Sequence, residues 1–291
     1  MNQAMKDIRA SSHSGESVSL VHYQDQLCVL KVSGPDPARF RQCIAKQKGF
    51  QALALSGLGV SAASIVQDIE EDGRAGVVMP YVHGLTGADF ALHGNREIAR
   101  DLARGLSALL IDAMSRSVVQ PVPAAVFLDK LEQVLASNQE PCLKPCLERA
   151  WRWLNAALAE KPSLPVPMGE CHGDLTLSNL ILSHSKGIVL IDFLACFLES
   201  PLQDLAKIAQ DFECGWSFRK LDSNLRIKAG IFAKLAYPGY AGQLYALFPT
   251  QAAVFKLLCL ARIAPYVKDE LTARWLENAL GNLLDGLGAA P

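Results

Sequence analysis

Apolar and polar positions change their period along this chain, and the change divides it. Near the N-terminus they alternate: Ser17–Tyr23 does so, Asp25-Gln26 reads as a turn, and Leu27–Val32 returns, which predicts a β-hairpin. Pro35 and Pro37 mark a turn, and Asp36 between them is placed to cap a helix over roughly 38–55. Two further strands are expected over 62–68 and 76–81, joined by the turn Glu70-Glu71-Asp72-Gly73-Arg74. From Asn95 onward the spacing becomes helical, with Ile98, Leu102, Leu106, Leu109, Leu110 and Ala113 on one face. Pro121-Val122-Pro123 breaks the pattern, and Phe127, Leu131, Val134 and Leu135 resume it. A third amphipathic segment spans 142–158, its Trp151 and Trp153 expected in the core. The prolines of Lys161–Pro167 make an extended linker. The expectation is an α+β protein: residues 1–83 form a small antiparallel sheet with one helix, and residues 84–291 form a larger, mainly helical region.

Composition narrows the partners. Half of the 291 residues are hydrophobic, enough for a substantial core, and the formal net charge is −1. No basic field favours nucleic acid or an anionic membrane surface, so neither is expected as a partner. The first residues are polar and lack the apolar run of a signal peptide, and the apolar stretch over 52–66 is broken by Ser and Gly and too short to span a bilayer. The eight cysteines form no Cys-x-x-Cys pair, so they read as reduced, buried thiols of a cytoplasmic protein.

The chemistry gathers in Cys171-His172-Gly173-Asp174-Leu175-Thr176-Leu177-Ser178-Asn179, followed by two apolar runs, Leu180–Leu182 and Ile188–Ile191, that read as a hairpin ending at Asp192. A carboxylate, an amide five residues later, and a second carboxylate at a strand end suit the placing of a hydroxyl nucleophile beside Mg²⁺-bound phosphates. An ionised Asp192 between Ile191 and Phe193 is costly unless a cation compensates it. Lys31 stands out as a lone charge in the run Leu27–Val32. The absence of any G-x-x-x-x-G-K-[ST] excludes a Walker-type NTPase.

His172-Gly173-Asp174 with Asn179, and the later Ile191-Asp192-Phe193, resemble the catalytic signature of the aminoglycoside phosphotransferase and choline kinase superfamily. Ile191–Leu194, Glu199–Leu202 and Gly215-Trp216 resemble more narrowly the phosphotransferase group of bacterial surface-polysaccharide loci. The resemblance implies a two-lobed protein-kinase-like fold and an ATP- and Mg²⁺-dependent transfer of phosphate to a small hydroxylated substrate such as a sugar, amino alcohol or aminoglycoside. It implies Asp174 as the catalytic acid–base group, Asn179 and Asp192 as metal ligands, and Lys31 as the lysine of the nucleotide phosphates. Met79, Tyr81 and Val82 would line the adenine at the inter-lobe hinge. His172 would brace the loop, and Asp204, in Asp204-Leu205-Ala206, would support it from a helix start. The chain departs from the pattern twice. No Glu or Asp lies between Asp36 and Asp68 to pair Lys31, Gln47 being the nearest polar candidate, and the Ser11–Ser17 turn lacks a Gly-rich fingerprint. A catalytically silent nucleotide-binding module is therefore the alternative. The acceptor pocket is expected between the loop and the C-terminal helices, where Asp211 and Glu213 would form an acidic rim and Arg262 and Lys268 a basic one.

Overall fold

The computed structural model describes residues 15–71 and 73–288. They form two compact units. The first takes the chain up to Thr86 together with Asn179–Cys196, and the second takes Gly87–Ser178 and the chain from Phe197 onward.

In the first unit, β1 (Ser17–Tyr23), β2 (Gln26–Val32), β5 (Gln67–Glu71) and β6 (Arg74–Pro80) make an antiparallel sheet in the order β1-β2-β6-β5. The first hairpin turns at Gln24-Asp25, both at positive φ, one residue earlier than the sequence suggests. Helix α1 (Pro37–Gly49) is capped by Asp36, whose Oδ1 accepts the Arg39 N–H at 2.9 Å. It ends six residues short of the expected 55, because Gly57 at φ +74° instead turns β3 (Leu53–Leu55) back into β4 (Leu58–Ala62). Phe40 and Ile44 of α1 pack on Ala75, Val77 and Met79 of β6 and on Val189.

Val189 belongs to a hairpin from far along the chain, β9 (Leu180–Ser183) and β10 (Gly187–Leu190). Ile188 of β10 pairs in parallel with Val60 of β4, giving the sheet β3-β4-β10-β9. These pairings are why Asn179–Cys196 clusters with the N-terminal unit, whereas a single cut after residue 83 would leave it with the helices.

The second unit is mainly helical: α2 (Asp89–His93), α3 (Arg96–Ser115), α4 (Ala124–Ser137), α5 (Lys144–Leu158), α6 (Pro201–Phe212), α7 (Ser223–Ala236), α8 (Ala241–Leu247), α9 (Pro249–Ala261) and α10 (Glu270–Leu287). Asn95 caps α3 by accepting the N–H groups of Glu97 and Ile98. Helix α9 is apolar round most of its surface and buried among α4, α5, α6 and α10, with Phe255 and Leu257 at its centre. The two proline-rich stretches read as a break and a linker are paired strands, β7 (Val118–Pro123) and β8 (Ser163–Met168). A two-stranded ribbon has outer edges where proline's missing donor costs nothing. All eight cysteines are free, and Cys142, expected inside, is exposed. Among the described residues no single helix is long and apolar enough to cross a membrane.

The parallel seam gives a prediction. Gly187 lies at φ +72°, and a Cβ there would stand 2.4 Å from the Gly59 carbonyl oxygen; Gly57, at φ +74°, has open space around it. Gly57→Ala should cost only the backbone penalty of about 1–2 kcal/mol. Gly187→Ala should cost clearly more in denaturant unfolding, and equal losses would contradict the seam.

Candidate active site

The first unit supplies a charged cluster. Lys31 is the last residue but one of β2, paired on one side with Val18 and on the other with Val77, so its side chain is carried among apolar neighbours and is buried. Its ammonium meets Glu16 Oε2 at 2.7 Å and Asp192 Oδ1 at 3.1 Å, with the Phe40 ring 5.8 Å away. Burial alone would lower the lysine's pKa, but the charges of Asp192 and Glu16 outweigh it and hold the group above its ordinary value. Glu16 is the acid missing from the helix, supplied by the residue just before β1. Gln47 is not the substitute: its Nε2 donates to the Ala63 carbonyl at 2.8 Å and faces the Met79 sulfur.

Asp192 follows β10 at φ +60°, a left-handed conformation that Asp tolerates better than most residues. Its side chain is 47% exposed, so the carboxylate has an open side besides the one facing Lys31. Leu180 pairs with Leu190 in the hairpin, and just beyond that pair the Asn179 carbonyl accepts the Ile191 N–H at 2.9 Å. The ladder therefore brings Asn179 and Asp192 to the same end of β9 and β10. An amide and a carboxylate are hard oxygen donors of the kind Mg²⁺ prefers.

Of the hinge residues, Met79 lies inside β6 opposite Val29, with its side chain in the core, and Val82 packs against the same cluster. The Tyr81 N–H donates to the Leu27 carbonyl at 3.0 Å. That bond closes the sheet at the end of β6. Residues Ser11–Ser14 of the turn before β1 lie outside the described residues.

The second unit holds the loop Cys171–Ser178 against one face of α6. Asp204 accepts the His172 N–H at 2.6 Å and the Gly173 N–H at 2.7 Å with its two oxygens. Gly173 has φ +92°, accessible to glycine. Gln203 donates to the Gly173 carbonyl at 3.3 Å, and His172 Nδ1 accepts the Asp174 N–H at 3.2 Å. One turn further along α6, Lys207 reaches Asp174 at 2.9 Å. A turn beyond that, buried Asp211 accepts the Leu177 N–H at 2.5 Å, the Ser217 N–H at 2.7 Å and the Ser217 hydroxyl at 2.8 Å.

The expected acceptor rim is therefore rearranged. Asp211 is wholly buried, a loop anchor instead of a surface acid, and Glu213 is paired with Lys256 at 2.9 Å and accepts the Tyr237 hydroxyl. Arg219 stacks on Trp216, 3.6 Å from its ring centre. A cavity of about 1260 Å³ lies among α6–α10, lined by Glu213, Lys256, Arg226, Arg274 and Trp275, but no residue of Cys171–Ser178 lines it. Sequence reading missed Glu16, Lys207 and the anchoring role of Asp211.

Burial pushes the Asp211 carboxyl up, and its three donors pull it back only in part. A carboxyl raised in the folded chain binds its proton more tightly there than in the unfolded chain, so folding stability falls as pH rises from the ordinary aspartate value through the raised one. Asp211→Asn should lack that part of the slope in urea unfolding followed against pH. Asp211→Ala should lose about 1–3 kcal/mol for each N–H it orphans.

Comparison with known proteins gives a family from the sequence and a fold from the structure. The family model described as "Phosphotransferase enzyme family" matches residues 11–241. A thermostable mutant of the aminoglycoside phosphotransferase APH(4)-Ia, solved as a ternary complex with ADP and hygromycin B, is 13% identical with a TM-score of 0.61, over 98% of this chain and 96% of that one. The choline kinase LicA from Streptococcus pneumoniae is 12% identical, TM-score 0.57, over 98% and 95%. The amicoumacin kinase hAmiN, solved in complex with AMP-PNP, Ca²⁺ and Ami, is 13% identical, TM-score 0.55, over 99% and 90%. No match was found among curated proteins. With four-fifths of its length matched by the family model and its fold shared with these kinases, the chain belongs to the phosphotransferase enzyme family and has the protein-kinase-like fold.

Proposed function

We propose that the protein is an ATP- and Mg²⁺-dependent kinase that transfers the γ-phosphoryl group to a hydroxyl of a small molecule: a sugar, an amino alcohol or an aminoglycoside-like compound. The observation that carries the reading is the Glu16–Lys31–Asp192 cluster with Asn179 at the end of the same hairpin. The silent-module alternative rested on the acid absent from α1 and on the missing Gly-rich fingerprint before β1. Glu16 supplies an acid from another element, which supports the active reading. The complex of the APH(4)-Ia mutant with hygromycin B and the choline and amicoumacin kinases suggest the acceptor class.

In this mechanism Lys31 binds the nucleotide phosphates, and Glu16 keeps its ammonium aimed from behind. Asn179 and Asp192 would hold Mg²⁺, which supplies charge neutralisation at the phosphates. Asp174 orients the acceptor hydroxyl. As the acceptor oxygen bonds to the γ-phosphorus, the bond to the β,γ-bridging oxygen breaks and ADP departs with that electron pair. The hydroxyl proton passes to the Asp174 carboxylate and then to solvent. Phosphoryl transfer asks for alignment more than covalent chemistry, which is what rigidly held loop residues provide.

A mass-spectrometric screen of sugars, amino alcohols and aminoglycosides with MgATP tests the reading. A product heavier by one phosphoryl group is expected, with Asp174→Asn and Asp192→Ala each lowering turnover by about 10²-fold or more. Glu16→Gln should raise the KM for MgATP by roughly tenfold, the effect of loosening one charged contact, and leave kcat less changed. No product from any acceptor, with nucleotide affinity untouched in Asp192→Ala, would remove the kinase reading.

A further inference from the structure

Lys207 projects from α6 with its ammonium 2.9 Å from Asp174 Oδ1 and 3.0 Å from Gln210 Oε1. The Cys259 thiol of α9 donates to the same Gln210 oxygen at 3.1 Å, and Gln210 and Cys259 are both buried. The lysine is thus gripped on its protein side by an amide that is itself held. Its side chain is 14% exposed, against 31% for Asp174. Contact therefore comes from the interior, and the carboxylate keeps an accessible edge.

We propose that Lys207 is a positioning residue for phosphoryl transfer, holding Asp174 ionised and in one orientation while the acceptor hydroxyl meets the exposed edge of that carboxylate. The inference rests on the role given to Asp174 above. Among the described residues, the other charged or titratable groups bearing on the pair are Arg262 and Cys259 from α9 and its end, Asp211 and Asp204 from α6, and His172 in the loop. Burial would lower the Lys207 pKa, yet the charge of Asp174 outweighs it and keeps the ammonium protonated above its ordinary range.

A carboxylate tied to an ammonium is a weak base but a well-aligned one. That suits a loose transition state, in which the hydroxyl keeps its proton until the new O–P bond has largely formed. Once Asp174 takes the proton, Lys207 is left buried against a neutral acid. That imbalance favours release of the proton to solvent and resets the pair.

Turnover of MgATP with water as acceptor, followed against pH, tests the catalytic half. Lys207→Met should move the acidic limb of kcat/KM to higher pH by about one unit and lower kcat more than it changes KM, while Lys207→Arg should retain most of the wild-type profile. An unmoved acidic limb with kcat intact overturns the proposal. Unfolding of Asp174→Asn, Lys207→Met and the double variant tests the contact without activity. The expected result is that Asp174→Asn destabilises the chain and that adding Lys207→Met recovers part of the loss; additive losses beside intact turnover overturn the Lys207 role alone. Coupling without any wild-type turnover overturns the kinase reading instead and reduces the contact to a structural ion pair.

Discussion

Removing an ammonium from water is expensive, and this chain does it at Lys31 and again at Lys207. Neither lysine is tolerable without a carboxylate in contact: Lys31 finds Glu16 and Asp192, and Lys207 finds Asp174. In the proposed reaction the energetic demand and the chemical one coincide. An aspartate on a loop has many rotamers, and transfer chemistry needs one of them. A buried lysine whose own position is fixed by a strand or a helix removes that freedom. Each compact unit carries its own instance, so each aspartate is aligned by packing internal to its unit.

Helix α6 extends this to the whole loop. Asp204, Lys207 and Asp211 are three and seven positions apart, a spacing that puts them on one face. Along that face they engage the N–H groups of His172 and Gly173, then the Asp174 carboxylate, then the Leu177 N–H. Backbone donors in an irregular loop have no ladder to satisfy them, and an orphaned buried N–H is costly. Here carboxylates from a regular helix take the place of that ladder. The loop inherits the helix's rigidity, and Ser200 fastens the start of the helix by capping Leu202 and donating to Pro167 of β8.

Asp174, Asn179, Asp192 and the isolated Lys31 stand out in the amino-acid order because their type and spacing suit the proposed chemistry. The strand period, the Asp36 cap and the helical spacing after Asn95 are legible for a related reason, since each is a local pattern. Glu16 is not, because it is an ordinary polar residue beside a hairpin; only the β1–β2 register turns it toward Lys31. Asp211 reads as surface charge for want of any sign that Leu177 and Ser217 surround it. The expected helix overruns the real end of α1 because Leu53–Leu55 is apolar enough to continue it, and tertiary pairing with β4 decides otherwise. Pro121 and Pro165 mislead in the opposite direction, since a two-stranded ribbon accepts them opposite one another.

The charge count of the first unit's cluster bears on how the proposed reaction could proceed there. Glu16 and Asp192 contribute two carboxylates and Lys31 one ammonium, leaving one negative charge in excess. A nucleotide arriving alone would bring anionic phosphates toward that excess; arriving with a divalent cation, it brings the compensating charge. In the proposed reaction Lys31 would bind the phosphates and Asp192 would hold the cation, while Glu16 still holds the lysine from the other side. An acid on a mobile helix could be withdrawn with that helix. One fixed beside the strand that carries the lysine's partner, as Glu16 is, ties the aim of Lys31 to the sheet itself.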